Sequence, residues 1–177
     1  MDHVWKLENK EERKLLRSKA RPFDFSEMSK TEINNLVLGM RKLMRKANGV
    51  GLSANQAGFD FNMFVAEVPD EKKGGRKFYA IFNPKLEKLD KEQETVEEGC
   101  LSVPGTWGPV KRHQKVLLTG FDKNGKTVKI KAWGLLARVF QHETDHLNGV
   151  VFIDKADELY TFEPDPGIGE TKKSKND

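Results

Sequence analysis

The stretch QHETDHL (141–147) constrains this 177-residue chain more than any other. It holds two of the four histidines, spaced four apart, with a glutamate directly after the first. Leu135, Val139, His142 and His146 step by four, three and four, so a helix starting near Gly134 carries them as one stripe. Leu136, Phe140, Glu143 and Leu147 form the stripe beside it, and Asn148-Gly149 marks the helix end. Both imidazoles therefore continue an apolar stripe and face the interior, where a polar ring needs a partner. One metal ion satisfies two such rings at once, and HExxH is the spacing that allows it. An amphipathic helix with two satisfied core histidines is the plainer alternative.

A catalytic metal takes three protein ligands and keeps one position open. Asp145 is turned away from the histidine pair and is a poor third ligand. The single cysteine, Cys100, lies upstream in EEGCLS (97–102). A thiolate is a strong ligand whose pKa falls beside a cation, but a lone cysteine also serves as a small buried hydrophobe. From the residues alone both readings of Cys100 stay open.

Composition narrows the setting. The length fits one domain with its own core. Apolar residues at 37% and charged ones at 33% describe a polar globule. The net charge of +4 is mildly basic, with both signs interleaved, which excludes a concentrated nucleic-acid footprint. One cysteine excludes an internal disulfide and fits a reducing compartment. No apolar run reaches membrane-spanning length, and MDHVWKLENKEERKLL lacks the apolar core of a secretion signal. A cytoplasmic protein of bacterial type is expected, organellar only if a presequence has been removed.

Along the chain, Arg21-Pro22 interrupts any helix in the charge-dense first 25 residues. Ser29 followed by Glu32 forms a capping box. Behind it Ile33, Leu36, Val37, Met40, Leu43 and Met44 recur at helical spacing up to Asn48-Gly49. GVGLSANQAG (49–58) reads as a small-residue loop, without the lysine or glycine pattern of a phosphate cradle. Strands are predicted over 61–68 and 77–84, with Pro84 at a strand end. A hairpin is predicted around Lys123-Asn124-Gly125. Residues 161–177, rich in Pro, Gly and Lys, are expected to form a disordered tail after a single catalytic domain over 1–160.

Three segments together, GVGLSANQ (49–56), EGCLS (98–102) and QHETDH (141–146), resemble the signature of the peptide deformylases, in that family's order and separations. GVVFID (149–154) is similar as well. The likeness spans roughly residues 33–155; the arm over residues 1–25 and the tail are less family-like. The resemblance implies an α+β fold of short antiparallel sheets packed around a central helix that carries HExxH. It implies hydrolysis of the formyl group from N-formylmethionyl nascent peptides, with Cys100, His142 and His146 holding one divalent metal ion. Ferrous iron is the implied native ion, with zinc, nickel or cobalt as other occupants. Glu143 takes the role of general base, and the Gln56 side chain and the Leu101 backbone N–H that of oxyanion stabilisers. Gly49, Val50, Gly51, Leu135, Arg138 and Val139 take up the substrate, while Arg112 pairs with Asp145 as structural support. Trp107 stands where some relatives carry an arginine. Pro164, Pro166 and Gly167 prevent the long C-terminal helix by which certain bacterial members dock on the ribosome. A weak ribosomal contact through KKSK (172–175) is the remaining expectation, along with a monomeric state. Two rivals are a zinc peptidase, with Asp154, Asp157 or Glu158 as third ligand, and a catalytically silent relative that only binds.

Overall fold

The computed structural model describes residues 1–70, 73–163 and 172–175. The Ser29 hydroxyl accepts the Glu32 N–H at 3.2 Å, and the Glu32 carboxylate accepts the Ser29 N–H at 2.7 Å, so the capping box starts α2 (Lys30–Lys46). The buried face of α2 consists of Ile33, Leu36, Val37, Met40, Leu43 and Met44, the apolar stripe predicted from spacing. A short α1 (Lys10–Leu16) precedes it, capped by Asn9.

Seven strands lie between α2 and the third helix: β1 (Gly51–Ser53), β2 (Met63–Pro69), β3 (Arg76–Lys88), β4 (Gln93–Cys100), β5 (Val103–His113), β6 (Lys115–Phe121) and β7 (Thr127–Trp133). After α3 (Gly134–Leu147) come β8 (Tyr160–Glu163) and β9 (Lys172–Lys175). Five strands form one antiparallel sheet in the order β1-β2-β3-β6-β7, and β4-β5-β8-β9 form a second. Helix α3 packs against strands of both sheets and turns Ala137, Val139, Phe140, Gln141, Glu143, His146 and Leu147 inward. The fold is therefore α+β, with the histidine helix at its centre. Among the described residues no helix is long and apolar enough to cross a membrane.

Several expectations need correction. Pro84 does not end its strand; β3 continues to Lys88 through a register shift between Phe82 and Lys85. Asn83 sits there at φ 48°, and its side chain bonds the backbone of Phe23 at 2.7 and 2.9 Å. The bulge takes proline, which has no N–H to give, out of the hydrogen-bonded ladder. The loop read over 49–58 contains the short strand β1 and a 3-10 turn over Asn55–Ala57. The expected tail falls largely on residues 164–171 and 176–177, outside the described residues; where the chain is described, β8 and β9 pair antiparallel.

Burial also gathers charge at Glu67 on β2. Its carboxylate accepts hydrogen bonds from Arg45 Nε and Nη2, both at 2.7 Å, and from Arg41. The hydrogen bond from Arg45 leads the effects that hold the carboxyl at about 2. A depressed native pKa stabilises the fold above the unfolded value of about 4.3, and the gain is lost as pH falls towards 2. Glu67→Gln is expected to lower unfolding free energy at pH 7 by about 1–2 kcal/mol, allowing for the exposure of Arg45. Urea melts of both proteins should converge as pH drops from 4.5 to 2; parallel curves would refute the assignment.

Candidate metal centre and active site

Helix α3 delivers His142 and His146 one turn apart, and the end of β4 delivers Cys100. The His142 and His146 Nε2 atoms lie 3.2 Å apart, and Cys100 Sγ is 3.1 Å from His146 Nε2. All three donor atoms fall within 4.8 Å of one another. Two nitrogens bound tetrahedrally at about 2.0–2.1 Å would be separated by about 3.3 Å, so the rings already stand near ligand spacing. A soft sulfur and two imidazoles suit iron, zinc, nickel or cobalt better than magnesium.

The electrostatics point the same way. Burial by itself raises the Cys100 thiol, but the charge of His146 and hydrogen bonds with both rings draw it well below its ordinary value. Burial by itself lowers His142, but the bonds to Cys100 and Glu98 drive it well above. A buried sulfur held towards its thiolate form beside two imidazoles is a donor set that a metal cation can satisfy. His142 Nδ1 lies 3.0 Å from Glu98 Oε2 and donates to it, which aims Nε2 at the site. Glu98 in turn accepts from Arg112 Nε at 2.6 Å and Nη2 at 2.8 Å. Burial raises the Glu98 carboxyl, but Arg112 and His142 outweigh it and hold it at about 2. Arg112 Nη1 also donates to Asp145 at 2.6 Å, and Lys155 reaches the same carboxylate at 2.6 Å. Asp145 is thus engaged by Arg112 and Lys155 and is not among the three donors.

Glu143 is 3% exposed, and its Oε2 has no hydrogen-bond partner among the described residues. Burial pushes its carboxyl up to about 7, against the pull of the two imidazoles. Its carboxylate lies against Gly51: a Cβ built there would come within 2.2 Å of Glu143 Oε1. At Gly49 a Cβ would come within 2.7 Å of Leu101 Cδ1. Both glycines therefore let the 49–56 loop close over the site.

Gln56 is buried beside the triad. Its Oε1 accepts from the Ser53 backbone and hydroxyl, both at 3.0 Å, which turns Nε2 towards Ser102 Oγ at 3.1 Å and Cys100 Sγ at 3.5 Å. One cavity of about 690 Å³ takes in Gln56, Cys100, Leu101, His142 and Glu143. Gly49, Val50, Gly51, Leu135, Arg138 and Val139 also line it, so every residue expected to touch substrate reaches this cavity. Trp107 is at its edge, 40% exposed, with its indole over Gly99 across the strand pair, 3.0 Å from where a Cβ would stand.

Asp154 and Asp157, two of the third ligands a peptidase would need, are engaged elsewhere: Asp154 by Arg17 and the Val151 N–H, Asp157 by Lys111 at 3.5 Å. Sequence reasoning missed Glu98, Ser102, Ser53 and Asn55, whose Nδ2 donates to the His146 carbonyl at 2.6 Å. Glu98 and Ser102 stand inside the segment EGCLS, so their nearness to Cys100 was visible; their partners were not.

The chain matches the family model for polypeptide deformylase over residues 4–161, a span that includes the N-terminal arm. It is 43% identical over 141 residues to the peptide deformylase of Halothermothrix orenii, covering 80% of this chain and 86% of that one. With the peptide deformylase of Roseiflexus castenholzii the identity is 35% over 171 residues, covering 90% and 91%. Among solved structures, the peptide deformylase of Thermotoga maritima superposes with a TM-score of 0.75 at 32% identity, covering 89% of this chain and 98% of that one. The Met-Ala-Ser-bound enzyme of Acinetobacter baumannii superposes with a TM-score of 0.76 at 29% identity, covering 86% and 96%. Agreement over nearly the whole domain, with a sulfur from β4 gathered against two imidazoles of the central helix, leads to one conclusion: the chain belongs to the polypeptide deformylase family.

Proposed function

We propose that this protein is a peptide deformylase that hydrolyses the formyl group from the N-terminal formylmethionine of newly made polypeptides and releases formate. The observation that carries the reading is the convergence of Cys100, His142 and His146 beside a buried Glu143 in one cavity. Cys100 Sγ, His142 Nε2 and His146 Nε2 would hold the ion. A divalent metal, ferrous iron by the family reading with zinc as a less active occupant, would supply there the Lewis acidity that makes water a nucleophile at neutral pH.

The chain's own residues do the rest. Glu143 takes a proton at its carboxylate and passes it to the departing amine, a transfer helped by a pKa lifted towards neutrality. Gln56 Nε2 and the Leu101 backbone N–H donate to the oxygen that gains charge when the formyl carbon is attacked. Ser53 presets the Gln56 amide, so that donor needs no reorganisation. Val50, Leu135 and Val139, with the aliphatic stem of Arg138, offer an apolar wall for an unbranched thioether side chain. The backbone of Gly49 and Gly51 lies along the cavity and suits a peptide in extended pose. All donors and the base come from one chain, so the reading takes the enzyme as a monomer, acting in the compartment where formylated chains are made.

Three experiments test this. Anaerobically prepared protein loaded with iron or nickel is expected to release formate from a formyl-Met-Ala-Ser peptide. Glu143→Ala should lower kcat about 10²- to 10⁴-fold with metal content unchanged; normal turnover by that variant would remove the mechanism. Gly51→Ala forces the Glu143 carboxylate aside, and a loss of about a hundredfold in kcat is expected with the metal still bound. Arg112→Met leaves the buried Glu98 and the part-buried Asp145 without their guanidinium. Chelator competition should show metal affinity lowered by about tenfold to a hundredfold, and urea melts a stability loss of about 3 kcal/mol. Unchanged affinity would separate Arg112 from the metal centre.

A further inference from the structure

Three consecutive residues of the N-terminal arm each grip a carbonyl of the active-site segments. The Trp5 N–H donates to the Gln56 carbonyl at 2.8 Å, the Lys6 ammonium to the Leu101 carbonyl, and the Leu7 N–H to the Ser102 carbonyl at 3.0 Å. The arm is held from its other side by α1: Glu12 accepts the Lys6 N–H at 2.5 Å, and Arg13 Nε donates to the Leu7 carbonyl at 2.5 Å. The Trp5 indole closes over Gly58, where a Cβ would come within 2.8 Å of the ring and φ is 86°. The arm is therefore a fixed strap. It joins the two segments assigned to the oxyanion.

We propose that Lys6 is a positioning residue for deformylation: its ammonium anchors the Leu101 carbonyl and, through the peptide joining Leu101 to Ser102, strengthens the hydrogen bond from the Ser102 N–H to the Cys100 sulfur. That N–H lies 3.4 Å from Sγ. A cation at a carbonyl oxygen polarises the amide and makes its N–H a better donor. A thiolate that accepts such a bond gives less charge to the metal it ligates, which tunes the ion's Lewis acidity. The same anchor fixes Leu101, whose side chain packs over Gly49 and whose N–H faces the reacting oxygen in the reading above. Lys6 lines the cavity, so its ammonium stands where arm, loop and sulfur meet.

The test uses the full chain with Lys6→Met, Lys6→Arg and Lys14→Met, the last an arm lysine paired only with Glu11 in solvent. Each is loaded with cobalt(II) for absorption spectra and with nickel(II) for kinetics. In Lys6→Met the sulfur-to-cobalt charge-transfer band is expected to move to lower energy. In the same variant kcat should fall about tenfold with KM little changed. Lys6→Arg should restore both, and Lys14→Met should match the parent. An unmoved band overturns the proposal, and so does an unmoved kcat in an active parent. A fall in unfolding temperature with the band in place makes Lys6 a fold contact only and also overturns it. The kinetic arm rests on the deformylase reading; a parent that releases no formate defeats that reading, while the cobalt band still decides the role of Lys6.

Discussion

A sulfur and two imidazole nitrogens, all directed at one point inside the protein, set the terms for everything around them. Such a group cannot be left to itself in a low-dielectric interior, because each donor loses water and repels or competes with the next. The surrounding structure answers with a layered hydrogen-bond network. Glu98 orients His142, Arg112 neutralises Glu98, and Asp145 with Lys155 completes the charge balance around the same guanidinium. Asn55 secures the backbone at His146. Side chains from β4, β5 and the 49–58 segment thus hold the helix where its two imidazoles meet the sulfur.

The same packing explains why the catalytic loop is so poor in side chains. Gly49 and Gly51 lie where Leu101 and Glu143 need the space, so the loop, the β4 end and the helix close onto each other. Closure buries Glu143, and burial raises its carboxyl to about 7. Ser53 and Ser102 then turn Gln56 so that its amide donor faces the sulfur side of the cavity. Stability away from the site uses the same device on a smaller scale. At Glu67 a buried carboxylate is offset by two arginines of α2.

The N-terminal arm shows how a segment of low apparent likeness can still belong to the working core. Val4, Leu7 and Leu16 are buried, the backbone N–H groups of Trp5 and Leu7 bond to the carbonyls of Gln56 and Ser102, and the Lys6 ammonium bonds to that of Leu101. The two backbone bonds depend on the path of the chain and hardly on the side chains, so they leave little trace in residue types. Pro84 makes the complementary point: residue type there predicts a strand end, but the sheet absorbs proline by a bulge and continues.

What the amino-acid order determined by itself was local and periodic. The Ser29 cap, the apolar stripe of α2, the hairpin at Asn124-Gly125 and the shared face of His142 and His146 all follow from spacings of a few residues. The histidine pair was equally plain in the residue types, while Cys100 stood open between ligand and small buried hydrophobe until the family resemblance pointed to it. Only the tertiary structure decided that Cys100 meets those rings, that Glu98 and Arg112 stand behind them, and that Lys6 reaches Leu101. Those contacts join positions as much as 95 residues apart, and they depend on strand register and helix packing, which no local periodicity specifies.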